Sequence, residues 1–272
     1  MQLTAKFTDL PARMLSVAIA MPLVLLAVWI GGTIFSLLIG AIIMLGMYEW
    51  LRLQQQNPSI LCEGINMLAL LLIWWLCYAQ MYGFACIALV TISGFSYTIF
   101  ERATLENSPW IAFGLPYLGG ALIAFMALGA EMDLIGSRVI FFLLFTVWAA
   151  DTGAYMLGRI LGGPKLAPVI SPSKTWAGLL GAISGAALVG WVFDAFQPGM
   201  LSHNTIVQAA FMGLAAQLGD LFESYAKRRA GVKDSGNILP GHGGILDRID
   251  GLIVAAIVLA LWHFATRPWS AI

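Results

Sequence analysis

An all-α, polytopic membrane helix bundle of about nine transmembrane helices, with Gly-rich polar loops on its cytoplasmic side, is the fold that this sequence predicts. Three observations carry it. Of the 272 residues, 60% are hydrophobic and only 10% are charged, and the mean hydropathy is +0.86, whereas a soluble domain carries about 25% charged residues. Nine apolar runs, 14–31, 33–51, 65–81, 83–99, 110–129, 137–158, 176–195, 205–224 and 250–267, have the length of bilayer-crossing helices, which is about 17–25 residues. Threaded with the N-terminus in the cytoplasm, these spans leave twelve Lys and Arg inside and only Arg138 and Arg267 outside, the bias of the positive-inside rule.

The first span follows Lys6 and Arg13 and is read as uncleaved, because a signal peptide needs a shorter run and a small-residue cleavage site. Gly31-Gly32 turns the chain into the second span. That span ends in "YEWLRL", where Glu49 is assigned to an interfacial i,i+3 pair with Arg52. Cys62, Cys77 and Cys86 sit in or beside apolar runs and read as small core hydrophobes. Residues 1–135 have short, plain loops and form an N-terminal scaffold. Residues 136–272 hold the polar, Gly/Pro-rich inner segments 158–175 and 225–249 and form the catalytic region.

Carboxylates stand where lipid is expected. Asp151 follows the run of the sixth span and Asp220 that of the eighth. A charge at bilayer depth is costly, so such residues face a bundle interior or a polar cavity. Helical spacing puts Asp151, Tyr155 and Arg159 on one face. It does the same for Asp220, Glu223, Ser224 and Lys227, and Asp247 and Asp250 are three apart at the start of the ninth span. Carboxylates with Lys and Arg beside them at one membrane face suit Mg²⁺ plus phosphate. Asp220 and Asp247 are the expected principal metal ligands, with Asp151 and Asp250 close by.

Lys227 to Gly251, "KRRAGVKDSGNILPGHGGILDRIDG", holds five Lys/Arg, three Asp and six Gly. Gly243 and Gly244 precede the ninth helix, where backbone N–H groups favour an anion. A juxtamembrane anchor for anionic lipid would explain the basic run but leaves Asp220, Asp247 and Asp250 unexplained. "SPSKTWAG" offers Ser173, Lys174 and Thr175 as phosphate donors, and equally an N-cap with an interfacial Trp176. Gly181 and Gly185 are a small-x-x-x-small pair for helix packing. There is no GxxxxGK[ST], GxSxG or HExxH motif.

"SYAKRRAGVKDSGNILPGHGGILDRID", Ser224 to Asp250, resembles the signature of phosphatidate cytidylyltransferases, also called CDP-diacylglycerol synthases. Ser224, Lys227, Arg228, Lys233, Asp234, Pro240, His242, Gly243, Gly244, Asp247, Arg248 and Asp250 fall on that pattern, and Ala226 departs from it in size. "DTGAYMLGR" and "SPSKTWAG" resemble family segments in the same order. The resemblance implies transfer of the cytidylyl group of CTP to phosphatidic acid, with Mg²⁺ required and K⁺ implicated beside it. It also implies a homodimer in a bacterial inner membrane with the site facing the cytoplasm. On the residue reading joined to it, Asp220, Asp247, Lys227, Arg228 and Asp250 are catalytic. Lys174, Ser173, Lys233, His242, Gly243, Gly244, Arg248 and Asp151 bind substrate. Because the phosphatidate phosphate is already ionised, His242 is a loop or phosphate contact rather than a general base. The rivals are a CTP-dependent lipid kinase and an ion-coupled transporter. A CDP-alcohol phosphotransferase would need a D-G-x-x-A-R pattern that is absent. The lipid bilayer is an expected partner and nucleic acid is not.

Overall fold

The structure, a computed structural model, describes residues 10–55, 58–103, 107–130, 134–196, 204–238 and 243–266. Among these are nine helices: α1 Leu10–Ile30, α2 Gly32–Gln54, α3 Ile60–Tyr78, α4 Tyr82–Arg102, α5 Ser108–Gly129, α6 Leu134–Ile160, α7 Trp176–Phe196, α8 Thr205–Arg229 and α9 Leu246–Thr266. Eight of them, α2 to α9, are long and apolar enough to cross a membrane, and α1 adds the shorter apolar stretch Ala20–Ile30. Each expected span falls on one of the nine, and the chain is a multi-pass membrane protein. The helices divide between two compact units, Met1–Leu122 with Ala230–Arg248, and Ile123–Arg229 with Ile249–Ile272.

In the first unit, Gly31 and Gly32 take φ of 67° and 52°, a left-handed conformation that costs glycine little and reverses the chain between α1 and α2. Ser59 caps α3, its Oγ accepting from the Cys62 amide at 3.3 Å, which starts the helix earlier than the apolar run alone predicts. Trp50 is fully buried and donates from Nε1 to the Trp110 carbonyl at 2.8 Å. Its indole lies against Gly114, where a Cβ would collide with it. Leu115–Gly119 of α5 is a π-helical turn carrying Pro116, whose missing N–H disrupts the regular ladder.

In the second unit, small residues set the spacing. A Cβ on Gly153 of α6 would strike the carbonyl of Gly181 on α7, and one on Gly181 would strike Gly153 in return. A Cβ on Gly185 would come within 2.5 Å of the Ala149 carbonyl oxygen. The paired glycines of α7 therefore lie backbone against backbone with α6, the close packing that small residues permit between membrane helices. Gly213 of α8 meets Ala186 and Ala182 of α7, and Gly251 of α9 lies against Ala216 of α8. Between α6 and α7 the chain forms a two-stranded antiparallel hairpin, β1 Lys165–Ala167 with β2 Ser171–Thr175. This element lies outside the all-α expectation. Thr175 then caps α7, its Oγ1 accepting the Gly178 amide at 3.0 Å, so the same segment is both strand and N-cap.

Candidate active site

The sixth and eighth helices deliver their carboxylates to one cleft in the second unit. The cleft has a volume of about 460 Å³, and Asp151, Tyr155, Arg159, Ser173, Lys174 and Asp220 are among the residues that line it. Lys174 of β2 reaches Asp220 Oδ2 at 2.8 Å and donates to the Gln217 carbonyl at 3.2 Å. Gln217 in turn donates from Nε2 to Asp151 Oδ1 at 3.3 Å. Ser224 Oγ, one turn on from Asp220, donates to its Oδ1 at 3.2 Å. The hairpin explains the position of Lys174: β2 pairs with β1 from Thr175 back to Ser171, which fixes the strand that carries it.

Asp250 at the start of α9 lies close enough to Asp220 and Asp151 for the charges to interact, and it shares a hydrogen bond with Glu223. Glu223 is completely buried and takes an ion pair at 3.0 Å from Lys227. Four acids, Asp151, Asp220, Glu223 and Asp250, thus stand with two lysines, Lys174 and Lys227. Against the two lysine charges, a divalent cation would balance the four acids if all are ionised, and its preferred oxygen ligands are the type present. Among the described residues no three Asp, Glu, His or Cys side chains converge into a ready-made coordination shell. Mg²⁺ does not require one, since it binds through one or two carboxylates and fills its remaining positions with water and substrate phosphate.

The second expected metal ligand, Asp247, belongs to the first unit. Its Oδ2 accepts the amides of Ser235 at 3.0 Å and Gly244 at 2.9 Å. Below it stands Glu49, which is 2% exposed. Glu49 Oε2 accepts from Ser235 Oγ at 3.1 Å and from the Leu246 amide at 2.8 Å, and Oε1 accepts from the Ile245 amide at 3.0 Å. The expected Glu49–Arg52 pair is corrected: Arg52 bridges to Glu63 at 3.3 Å. The anionic oxygens that these loop amides meet are therefore the protein's own. Gly243 adopts φ of 79°. Lys233, Arg228 and Arg248 are exposed. His242 and Pro240 lie outside the described residues.

Sequence reasoning overlooked Gln217 and gave Glu49 the wrong partner. An amide three residues before Asp220 in "AAQLGD" was a readable signal for the first. For Glu49 the signal was a carboxylate inside an apolar run, which a local partner seemed to explain.

Lys227→Ala removes the cation that pairs with the buried Glu223 and should lower the thermal midpoint in detergent. Breaking such a pair costs about 3–5 kcal/mol. An unchanged midpoint would mean that Glu223 is compensated from elsewhere.

A family model described as the cytidylyltransferase family matches residues 11–265. The chain is 33% identical over 255 residues to a phosphatidate cytidylyltransferase of Brucella suis, covering 94% of this chain and 93% of that protein. It is 32% identical over 257 residues to a protein of the same name from Bacillus subtilis, covering 90% and 94%. With the Haemophilus influenzae protein of that name it shares 30% identity over 289 residues, covering 94% and 99%.

Proposed function

The chain belongs to the cytidylyltransferase family, and on that premise we propose that it transfers the cytidylyl group of CTP to phosphatidic acid, forming CDP-diacylglycerol and pyrophosphate. The observation that carries the reading to these residues is the Lys174–Asp220 ion pair beside Asp151 in a cleft among membrane helices. A phosphatidate phosphate oxygen attacks the α-phosphorus of CTP. The bond from that phosphorus to the bridging oxygen breaks, and pyrophosphate leaves with the electron pair. The attacking phosphate is largely ionised near neutral pH, so no residue has to abstract a proton. The protein's work is positioning and charge neutralisation.

Lys174 and Ser173 on the hairpin, with Lys227, Arg228, Lys233 and Arg248, hold the phosphates of the two substrates. Asp151 and Asp250 orient these cations. Gly243 and Gly244 shape the loop, and His242 contacts it or a phosphate. Asp220 and Asp247 are the proposed carboxylate ligands. Mg²⁺, when bound, neutralises charge on the transferring phosphoryl group. K⁺ beside it and a homodimeric enzyme complete the reading. The relatives are bacterial and the Lys/Arg bias favours these loops on the inner side, which together support an inner membrane with the site facing the cytoplasm.

Purified protein in detergent with CTP, phosphatidic acid and Mg²⁺ should release pyrophosphate in proportion to lipid consumed. Release of CDP with a phosphorylated lipid would mark a kinase instead, and no CTP turnover would remove the proposal. Arg228→Ala should lower kcat/KM by about tenfold to a hundredfold, the worth of one charged hydrogen bond of about 1.5–3 kcal/mol. Unchanged kinetics would reduce Arg228 to a lipid contact. Topology is checked at Asn237, which is exposed, rather than at the neighbouring buried Ser235. Asn237→Cys should react with an impermeant maleimide only when the inner face is open, and reaction from outside intact cells would invert the orientation.

A further inference from the structure

Ile245 and Leu246 open α9, the helix that carries Asp247. The amides at a helix start lack intrahelical partners and are usually met by a Ser, Thr, Asp or Asn side chain just before the helix. Ile245 has no such oxygen. Glu49, almost two hundred residues earlier, supplies both of its carboxylate oxygens instead, to Ile245, Leu246 and the Ser235 hydroxyl. The two glycines that flank this contact are shaped by it. A Cβ on Gly236 would lie 2.6 Å from Glu49 Oε1, and one on Gly244 would lie 2.5 Å from Oε2. Ser235 and Gly244, gathered in this way, are the residues whose amides hold Asp247 Oδ2.

We propose that Glu49 is a positioning residue of the transferase reaction: it caps α9 from a distant helix and clamps both ends of the glycine loop, so that Asp247 is held at a set place. The inference rests on the cytidylyltransferase reading and concerns a residue outside the family-like loop. A carboxylate is required because both oxygens accept at once, one of them twice. Glutamine keeps the shape, but its amide nitrogen would face an N–H donor. Aspartate is one methylene too short to reach both ends.

The full-length enzyme in detergent tests this with CTP, phosphatidic acid and Mg²⁺. If the parent chain releases no pyrophosphate, the functional reading fails and the clamp is judged by loop accessibility alone. With an active parent, Glu49→Gln should lower kcat at least tenfold while KM for CTP changes less than threefold. In the Asn237→Cys background the same substitution should speed maleimide labelling of the loop several-fold over the parent, whose exposed Cys86 sets the blank. Should Glu49→Gln fail to fold, Ser235→Ala decides, since it removes one of the three bonds and strands no amide. It should lower kcat by about twofold to tenfold and also speed labelling. Parental kcat together with parental labelling, in whichever variant folds, overturns the proposal. A lowered kcat with parental labelling overturns the clamp as its cause.

Discussion

Asp220→Asn is expected to abolish turnover almost completely while the protein remains folded. The side chain takes an ion pair from Lys174 and a hydrogen bond from Ser224, and asparagine preserves its volume and one acceptor. The charge is what disappears. If Asp220 holds the metal that stabilises charge at the transferring phosphorus, its loss removes several kcal/mol of transition-state stabilisation. About 4 kcal/mol corresponds to roughly a thousandfold in kcat. Raising Mg²⁺ should recover part of the activity of this variant but not of the double variant with Asp247→Asn. Asp194→Asn, at the far end of α7, serves as the control and should keep parental rates. A loss smaller than tenfold at Asp220 would move the metal to Asp151 and Asp250, the next pair to substitute.

Gly153→Val should be the most damaging packing change. The Cβ it introduces points into the Gly181 carbonyl, and a backbone atom cannot rotate away as a side-chain end can. Overpacking costs about 1–3 kcal/mol where neighbours can adjust, and two apposed helix backbones adjust only by separating. Separation of α6 from α7 would carry Asp151 away from Gln217, which links it to Lys174. Both the detergent midpoint and the turnover should therefore fall together. Gly64→Val, at a site with open space around its Cβ, tests whether the loss comes from the contact or from substituting a glycine in a helix. Equal damage at both positions would refute the close-approach account.

What could be read from the chain follows the range of the forces involved. The spans were legible because bilayer thickness sets their length and lipid sets their composition. The Asp220–Ser224 and Glu223–Lys227 contacts were legible because both are one helical turn apart. The β1–β2 hairpin was hidden: its strands have three and five residues, too short for alternation to register. Helix α8 continues through Arg229, past the expected end at 224, because hydropathy marks where the lipid stops rather than where the helix does. Glu49 was hidden for a deeper reason. Its partners are distant in sequence, and a local cation three residues away looked sufficient until Arg52 proved to serve Glu63.

The Glu49 clamp also bears on how the protein is made. Its partners lie 186 to 197 residues further along the chain. At synthesis rates of about 5–20 residues per second, roughly 10–40 s separate the emergence of α2 from that of its acceptors' donors. During that interval the nascent helix sits in the translocon or bilayer with a carboxylate whose final ligands do not yet exist. Its place five residues from the end of α2 lets it reach the headgroup water, which keeps the insertion cost below the roughly 2.5–3.5 kcal/mol of an acid at mid-membrane. Helix α9 thus completes α2 long after α2 is made, and a chain truncated before residue 245 would leave Glu49 without either of these amides.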